Sequence, residues 1–247
     1  MTDKKFNRRS FVKKTTLGAG ALLTVPYSAQ AMVNVGSVKK LKLAVVGCGG
    51  RGTGAAVQAL RADNDVELVA MADAFPDRLE NSLKNITEEL NGEIKINVKE
   101  KNKFIGFNGF KKAIEISDVV ILASPPGFRP LHFEYAIENE KHVFMEKPVA
   151  VDAFGVRRVL KSAKLATQKK LNVVVGLQRR YQKNYLALMD RVRKNEIGKI
   201  ISGQVYWNSP GVWVRKRLQG QSEMEYQMRN WYYFNWLCGD HILEQHI

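Results

Sequence analysis

Residues 41–60 read LKLAVVGCGGRGTGAAVQAL and set the fold class of this chain. An apolar run rich in branched side chains comes first, a glycine-rich turn follows over 47–52, and small and apolar residues then continue at helical spacing. This order predicts a strand, a tight turn and a helix, the arrangement that binds the phosphates of a dinucleotide. A turn that only links a strand to a helix is the alternative, because glycine turns are common.

Each glycine of this turn has a predicted task. Gly47 permits the tight turn, Gly49 lets the backbone approach a pyrophosphate, and Gly52 lets the helix pack close to the strand. The pyrophosphate would lie at the helix N-terminus, where unpaired N–H groups and the helix dipole favour negative charge. Gly50 and Arg51 complete the predicted pyrophosphate site.

An acidic residue follows at the spacing that the dinucleotide interpretation requires. Asp73 ends a second apolar run, VELVAMAD over 66–73, and an acidic residue about 20 positions beyond the turn is expected to bind the adenosine ribose. Its carboxylate can accept hydrogen bonds from both ribose hydroxyls and would repel a 2′-phosphate. We therefore predict NAD as the cofactor in preference to NADP.

Apolar strands alternate with helices through the first two thirds of the chain. We predict strands over 103–106, 118–124, 142–146 and 172–177, and helices over 77–90, 130–140 and 152–169. The polar stretch over 91–102 is interpreted as a loop or a β-excursion. Uniformly apolar strands between helices predict an α/β fold, with a doubly wound parallel sheet of the Rossmann type that is covered on both faces.

The N-terminal residues 7–31, NRRSFVKKTTLGAGALLTVPYSAQA, resemble the twin-arginine export signal of bacteria. A basic head precedes an apolar stretch over 17–25, which is far shorter than the ~20 residues of a membrane-spanning helix. Ala29-Gln30-Ala31 provides a small-x-small cleavage site. We predict that 1–31 is a signal peptide without a stable membrane anchor and that the folded protein is exported to the periplasm. A basic, frayed N-terminus is the alternative.

The chain carries a net charge of +15, or about +10 once the predicted signal is removed. The basic residues are spread along the sequence without a recognition motif, so no nucleic-acid partner is expected. Cys48 and Cys238 are the only cysteines, and we expect two free thiols. The spacing of His241, Glu244 and His246 differs from that of zinc motifs, so no metal is predicted.

Two further strand ends carry unusual sequence. ASPPGFRP over 123–130 follows one predicted strand, and HVFMEKPVAVD over 142–152 contains the next. Together with the glycine turn, these stretches resemble the Gfo/Idh/MocA family of oxidoreductases. The matching positions are Ser124-Pro125 for its TP pair, Lys141-His142-Val143 for its KHV, and Glu146-Lys147-Pro148 for its EKP.

The resemblance implies roles for individual residues. It places Ser124 and Pro125 near the nicotinamide ribose. It also implies that Glu146 and Gln178 are neighbours of the cofactor and that Lys147 is the catalytic lysine. An ammonium group beside a substrate hydroxyl can share its proton while hydride leaves the same carbon, which supports that role. A surface lysine paired with Glu146 is the alternative.

One position departs from the family pattern. The family commonly has a histidine where this chain has Arg129. Arg129 would either contact a cofactor phosphate or an acidic substrate, or flank the helix that begins at Pro130. Arg180 is a further candidate for substrate contact. The aromatic residues over 231–236, Trp231 among them, would either stack on a sugar ring or belong to the core.

The resemblance divides the chain into three parts. These are the signal over 1–31, an NAD-binding Rossmann domain over 32–177, and the beginning of an incomplete α+β domain over 178–247, which in the family is an open antiparallel sheet with helices. We predict a helix over 184–195, an alternating strand over 197–207, and then an aromatic-rich run into a further helix.

The last residues carry a further expectation. Glu244 fits the acidic position that the family uses on the substrate side, and the histidine expected one turn later would fall just past Ile247. We therefore expect this sequence to be a truncated form of a longer protein. The full-length protein is expected to be a homo-oligomer.

The predicted function is NAD-dependent hydride transfer to or from a sugar, sugar derivative or polyol, with Lys147 as proton donor or acceptor. The periplasm offers no steady supply of dinucleotide, so the protein would acquire NAD in the cytoplasm and cross the membrane folded. A cofactor that cannot exchange must be regenerated in place, which keeps an NAD-recycling glycoside hydrolase as an alternative. A non-catalytic sugar-binding relative or an inactive fragment is the second alternative.

Overall fold

The computed structural model describes residues 40–91, 95–208 and 210–245. The predicted signal peptide over 1–31 lies outside these residues. Within the described ranges, no helix combines the length and the apolar character needed to cross a bilayer.

Six parallel strands form a single sheet. Their order is β3-β2-β1-β4-β5-β6, and every neighbouring pair is parallel. This order confirms the predicted doubly wound α/β fold. The strands are β1 Leu41–Val46, β2 Val66–Asp73, β3 Lys103–Ile105, β4 Val119–Leu122, β5 His142–Glu146 and β6 Val173–Gly176.

Helices cover both faces of the sheet. They are α1 Gly50–Ala62, α2 Pro76–Glu89, α3 Gly109–Glu115, α4 Arg129–Glu138 and α5 Ala153–Gln168. One face is covered by α1 and α2, and Leu60 belongs to its buried cluster. The other face carries α3, α4 and α5, and Phe110 and Phe133 belong to its cluster. Because side chains alternate along a strand, β1 supplies Val45 to the first cluster and Val46 to the second.

Most of these elements begin and end within two residues of the predicted bounds. Helix α3 is absent from the predicted elements, because its seven residues are too few for helical periodicity to stand out. The polar stretch over 91–102 contains a bridge between Leu68 and Ile96 and a 3₁₀ turn at Glu100–Asn102. Its described residues over 95–102 therefore form a loop with a short β-excursion.

The order of the strands creates a crevice beside β1. This strand lies between β2 and β4. The chain leaves β1 toward β2 on one side and later returns to β4 on the other side. Val46 pairs with Ala72 on β2 and with Leu122 on β4, which brings the three strand ends level. Ligands of open parallel sheets bind in this position.

The C-terminal part of the described chain consists of short helices. These are α6 Gln178–Tyr181, α7 Lys183–Arg193, α8 Glu223–Arg229, α9 Asn235–Cys238 and α10 His241–Gln245, with a 3₁₀ turn at Trp231–Tyr233. The strand predicted over 197–207 is wrong, because these residues form no strand here. A strand needs a neighbour for its ladder hydrogen bonds, and none of the described strands pairs with this segment. Ile201 and Val205 are accordingly 84% and 97% exposed.

Candidate functional site

A cleft of about 390 Å³ lies at the carboxyl ends of the first four strands. Its walls combine the glycine turn, these strand ends and side chains from the C-terminal part of the chain. Eight residues singled out from the sequence line it together: Gly47, Gly49, Gly50, Arg51, Asp73, Ser124, Pro125 and Trp231.

The glycine turn packs tightly on one side and is open on the other. Gly47 has a φ of +95° and lies against the backbone of Ala123 and Ser124, so a side chain at position 47 would collide with β4. A side chain at Gly52 would collide with the carbonyl oxygen of Gly47. Gly49, by contrast, has open space where a Cβ would stand. The turn therefore presents bare backbone to the cleft.

Helix α1 begins at this turn without a partner for its first N–H groups. Within the described range 40–91, it has no capping side chain and no acidic residue in its first turn. Its N-terminus thus offers unpaired donors and the positive end of the helix dipole to a ligand. Open space at Gly49 and Gly50 leaves room for that ligand. These features fit the pyrophosphate of a dinucleotide.

Asp73 ties the end of β2 to the glycine turn. Its Oδ2 accepts a hydrogen bond from the Cys48 N–H at 2.7 Å, and its Oδ1 accepts one from the Phe75 N–H at 2.9 Å. Burial raises the pKa of Asp73, and the two N–H groups oppose that rise. A carboxylate has about four acceptor sites, so Asp73 can still accept hydrogen bonds from ribose hydroxyls in the cleft.

Ser124 is oriented by a buried histidine on α4. The Ser124 Oγ and the His132 Nδ1 are joined by a hydrogen bond of 3.0 Å. The His132 ring stacks on Phe110 at 4.2 Å between centroids. Burial, together with the nearby Arg129 cation, lowers the pKa of His132 to about 3. His132 is therefore a neutral ring in the wall of the cleft, where it holds the Ser124 hydroxyl in place.

Arg129 lies in the core rather than in the cleft. Its side chain is buried, and its guanidinium donates to the backbone carbonyl oxygens of Ser124, Glu146 and Pro148. The suggested contact with a phosphate or an acidic substrate is therefore not supported, because three carbonyls already hold the guanidinium. Arg129 is the first residue of α4, as the alternative of a helix-flanking residue required. Its guanidinium joins the ends of β4 and β5.

Glu146 connects the end of β5 with the glycine turn. Its Oε1 accepts a hydrogen bond from the Arg51 Nε at 2.8 Å, and its side chain is only 12% exposed. A Cβ at Gly176 on β6 would lie 2.9 Å from its other oxygen, so a side chain there would make the Glu146 carboxylate shift. This ion pair brings the residue before Lys147 to the edge of the cleft.

Lys147 forms an ion pair with Glu244 rather than with Glu146. The Lys147 Nζ lies 3.3 Å from the Glu244 Oε2, and the two side chains are 27% and 9% exposed. Burial raises the pKa of Glu244, while the charge and the hydrogen bond of Lys147 oppose the rise. The pair joins β5 to helix α10 beside the cleft, although neither side chain belongs to the lining. Two residues 97 positions apart in the sequence are thus brought into contact.

Two predicted contacts fall outside the cleft. Gln178 and Arg180 lie on α6, and neither is among the described residues that line the cleft. Sequence reasoning also missed several residues of the lining, including Phe107, Trp213 and Arg215. Phe107 comes two residues after the end of β3, so its place near a strand end was a usable signal. Trp213 and Arg215 lie in an irregular segment, where no periodicity locates a side chain.

The described residues contain no group of three potential metal ligands. Cys48 and Cys238 are free and buried. Burial raises the pKa of Cys48, and the charge of Asp73 raises it further. Cys48 is therefore a neutral thiol beneath the glycine turn.

Curated relatives match most of this chain. An inositol 2-dehydrogenase from Cereibacter sphaeroides is 29% identical over 153 residues, which are 62% of this chain and 41% of that protein. A glycosyl hydrolase family 109 protein from Shewanella pealeana is 22% identical over 236 residues, or 88% of this chain and 49% of that protein. The chain thus spans less than half the length of these relatives.

Solved structures share the same fold. Myo-inositol 2-dehydrogenase from Lactobacillus plantarum superposes with a TM-score of 0.52 at 25% identity, over 66% of this chain and 44% of that one. Myo-inositol dehydrogenase from Lactobacillus casei, solved with NAD(H) and myo-inositol, gives a TM-score of 0.53 at 22% identity, over 64% of this chain and 43% of that one.

The sequence profile of one family covers more than half of the chain. It describes an oxidoreductase family with an NAD-binding Rossmann fold and matches residues 41–177. These residues contain all six strands, the glycine turn and Lys147. The chain therefore belongs to the Gfo/Idh/MocA oxidoreductase family, whose fold binds NAD.

Proposed function

We propose that this protein is an NAD-dependent oxidoreductase that transfers hydride to or from a carbon bearing a hydroxyl group in a sugar, sugar derivative or polyol. The observation that carries the proposal is the ion pair between Lys147 and Glu244, which stands at the end of β5 beside a cleft suited to a dinucleotide. The Arg51–Glu146 pair links that position to the glycine turn.

Different residues of the cleft would bind different parts of NAD. The N-terminus of α1 would bind the pyrophosphate, Asp73 the adenosine ribose, and Ser124 and Pro125 the nicotinamide ribose. When bound, NAD supplies the acceptor or donor of the hydride. The negative charge of Asp73 disfavours a 2′-phosphate, which supports NAD over NADP.

Lys147 would exchange the proton of the reacting hydroxyl. In oxidation, its amine takes the hydroxyl proton while hydride leaves the same carbon, and in reduction its ammonium returns the proton to the oxygen. Glu244 stabilises the ammonium form by its charge and can accept a hydrogen bond from a neighbouring hydroxyl. Because Lys147 and Glu244 lie on different parts of the chain, a substrate between them would contact both.

The proposed substrate class rests on the relatives and on a second hollow. Three of the reported relatives and solved structures are inositol dehydrogenases by name, and one of them was solved with myo-inositol. A hollow of about 370 Å³ is lined by three aromatic residues together with Asp240 and His241. Aromatic rings beside polar groups suit a ring that carries hydroxyls, since each ring offers an apolar face. The aromatic residues are Trp207, Tyr232 and Tyr233.

Removal of the lysine amine tests this function. We expect Lys147→Ala to lower turnover by about a hundredfold or more while NAD binding stays within about twofold, because general acid–base catalysis contributes about 10²–10⁴-fold. Lys164→Ala, at an exposed position on α5, is the matched control and should leave both unchanged. Unchanged turnover in Lys147→Ala would remove the proposed role.

A second candidate function is NAD-recycling glycoside hydrolysis. The similarity to a glycosyl hydrolase family 109 protein over 88% of the chain favours it. In this reaction a sugar carbon is oxidised, the aglycone is eliminated, water adds, and the same hydride returns, so NAD is regenerated. Free aglycone without net NADH would support hydrolysis, whereas one NADH per substrate would support the dehydrogenase. NAD binding without turnover of any glycoside or polyol would indicate a non-catalytic sugar-binding relative.

We also propose that the protein is exported folded, with NAD bound, and that the full-length protein is a homo-oligomer. The sequence of residues 7–31 supports export, because twin-arginine signals serve proteins that fold before translocation. Replacing Arg8 and Arg9 with lysine should retain the protein in the cytoplasm in cell fractionation. Equal amounts in the periplasm for both forms would contradict export by this route.

A further inference from the structure

Residues 212–231, here called the clasp, lie across the outer side of the NAD cleft. Trp213, Arg215, Met228, Arg229 and Trp231 all belong to its lining. The glycine turn lines the same cleft and lies more than 150 positions earlier in the sequence. The cleft is therefore completed by side chains from beyond the Rossmann strands.

An ion-pair network fastens the clasp to α2. The Arg229 guanidinium donates from Nη1 and Nη2 to the two carboxylate oxygens of Asp77, each at 3.0 Å, and from Nε to Glu225 at 2.8 Å. It also lies 4.1 Å above the Phe75 ring. A two-point pair of this kind fixes orientation as well as distance. Asp77, the anchor of the clasp, lies in the first turn of α2, shortly after Asp73.

A buried asparagine holds the two arms of the clasp together. Asn230 is 2% exposed. Its side chain accepts a hydrogen bond from the Arg215 N–H at 2.8 Å and donates one to the Arg215 carbonyl oxygen at 3.2 Å. The Trp213 and Trp231 rings meet at 6.1 Å between centroids, and the Arg215 guanidinium lies 5.4 Å from the Trp213 ring. The Asn230 side chain thus holds the backbone of Arg215, and this sets the position of Arg215 in the clasp.

The charges in the cleft wall point to a ligand. Arg229 is paired with Asp77 and Arg51 with Glu146, whereas in the described part of the chain Arg78 and Arg215 have no ion pair. Burial lowers the pKa of Arg78, and the Arg215 cation lowers it further, so the two cations lie close together. Asp77 and Asp73 oppose this lowering for Arg78 without forming an ion pair with it. Guanidinium groups without an ion pair in the cleft wall suit an electron-rich ring or a phosphate oxygen.

We propose that the clasp forms the outer wall of the adenosine subsite, with Trp213 and Arg215 contacting the adenosine half of NAD. The Asp77–Arg229 pair holds this wall closed, so NAD leaves only when the clasp separates from α2. This inference concerns cofactor binding and holds whether or not Lys147 is the proton carrier. It also accounts for how the cofactor of an exported protein would be retained.

The rate of NADH release tests the proposal without any turnover assay. Protein loaded with NADH is mixed with excess NAD, and the loss of bound-NADH fluorescence is followed over time. We expect Arg215→Ala and Trp213→Ala each to release NADH about tenfold faster than the wild type. Lys216→Ala is the matched control, because it removes the same charge one position away, and it should stay within twofold. Thermal melting checks that each variant is folded.

Breaking the Asp77–Arg229 ion pair should have the same effect as removing the side chain of Trp213 or Arg215. Asp77→Asn removes the charge that holds Arg229, so release should also become about tenfold faster. Wild-type release rates in all of the folded variants, Arg215→Ala, Trp213→Ala and Asp77→Asn, would overturn the proposal. If an alanine variant does not fold, Trp213→Phe gives the deciding rate. The release assay involves no turnover, which keeps this test separate from that of the catalytic lysine.

Discussion

Asp73 performs two tasks with one carboxylate. It accepts N–H groups from the glycine turn and from Phe75, and its remaining acceptor sites face the cleft. The first task shapes the turn and the second is proposed to select the cofactor. A single side chain thus couples the geometry of the pyrophosphate site to the adenosine ribose.

Asp73→Asn removes the charge of this residue and keeps an acceptor for only one of its two N–H partners. The amide oxygen can still accept an N–H group, but the charge that binds the ribose and repels a 2′-phosphate is lost. We expect the Kd for NAD to rise about tenfold or more, since a hydrogen bond to a charged group contributes about 1.5–3 kcal/mol, while the Kd for NADP falls or stays constant. Calorimetric titration with both cofactors measures this, with exposed Asp65→Asn as control. An unchanged preference would contradict the role of Asp73.

His132 makes the stability of the protein depend on pH. Its folded pKa of about 3 lies below the ordinary value of 6.5, so between these values the unfolded chain binds a proton that the folded chain does not. The free energy of unfolding should therefore fall as the pH drops below 6.5, by up to ~1.4 kcal/mol per pH unit. Urea unfolding at several pH values should show a weaker dependence for His132→Phe. Equal dependence in both proteins would contradict a neutral, buried His132.

Arg129 should be irreplaceable by lysine. A planar guanidinium reaches three carbonyl oxygens at once, whereas an ammonium group on a thinner stem cannot match that fork. Each buried carbonyl left without a donor costs about 1–3 kcal/mol, so Arg129→Lys should lower the free energy of unfolding by about 2–4 kcal/mol. Exposed Arg157→Lys is the control for denaturant unfolding. Equal stability of the two variants would show that the carbonyl contacts contribute little.

At the level of elements, the contact between α1 and the glycine turn leaves no room for a side chain. A Cβ at Gly52 would collide with the Gly47 carbonyl oxygen, whereas Gly54, on the same helix, has open space at that position. We expect Gly52→Ala to lose NAD binding and to melt at a lower temperature. Gly54→Ala should bind NAD normally and gain up to about 1 kcal/mol from helix propensity. Similar behaviour of the two variants would contradict the predicted packing role of Gly52.

The elements differ in how far the sequence alone predicted them. The unit of β1, glycine turn and α1 was predictable, because local periodicity, conformational freedom of glycine and the position of Asp73 all agree. The segment over 197–207 alternates like a strand yet forms none, since strand formation depends on a neighbour that the pattern does not contain. Helix α3 was not predicted from the sequence, because a short helix is defined by its packing, here of Phe110 and Ile114.

The candidate site was predictable where it follows strand ends and unpredictable where distant parts meet. The resemblance to the family pointed to Lys147, and Glu244 was a candidate by spacing, but their contact follows only from the fold. Arg129 was misjudged as a possible substrate contact, because sequence does not reveal that three carbonyl oxygens converge on it. Trp213 and Arg215 lie in irregular backbone, whose path depends on Asn230 and on the anchor at Asp77.

At the scale of the molecule, the cleft is assembled from both ends of the described chain. The glycine turn and Asp73 line it together with residues of the clasp. The Lys147–Glu244 pair fastens the C-terminal part beside the cleft, as the Asp77–Arg229 pair does at the adenosine end. An enclosure of this kind accords with the proposal that NAD is bound before export and kept afterwards.

A crystal structure of the protein with bound NAD examines the whole arrangement at once. We predict the pyrophosphate at the N-terminus of α1, the adenosine ribose on Asp73 beneath Trp213, and the nicotinamide ring near Lys147, with room for a substrate hydroxyl about 3–3.5 Å from the reacting groups. A nicotinamide ring far from the Lys147 amine, or a dinucleotide bound outside the glycine turn, would contradict the proposed enzyme.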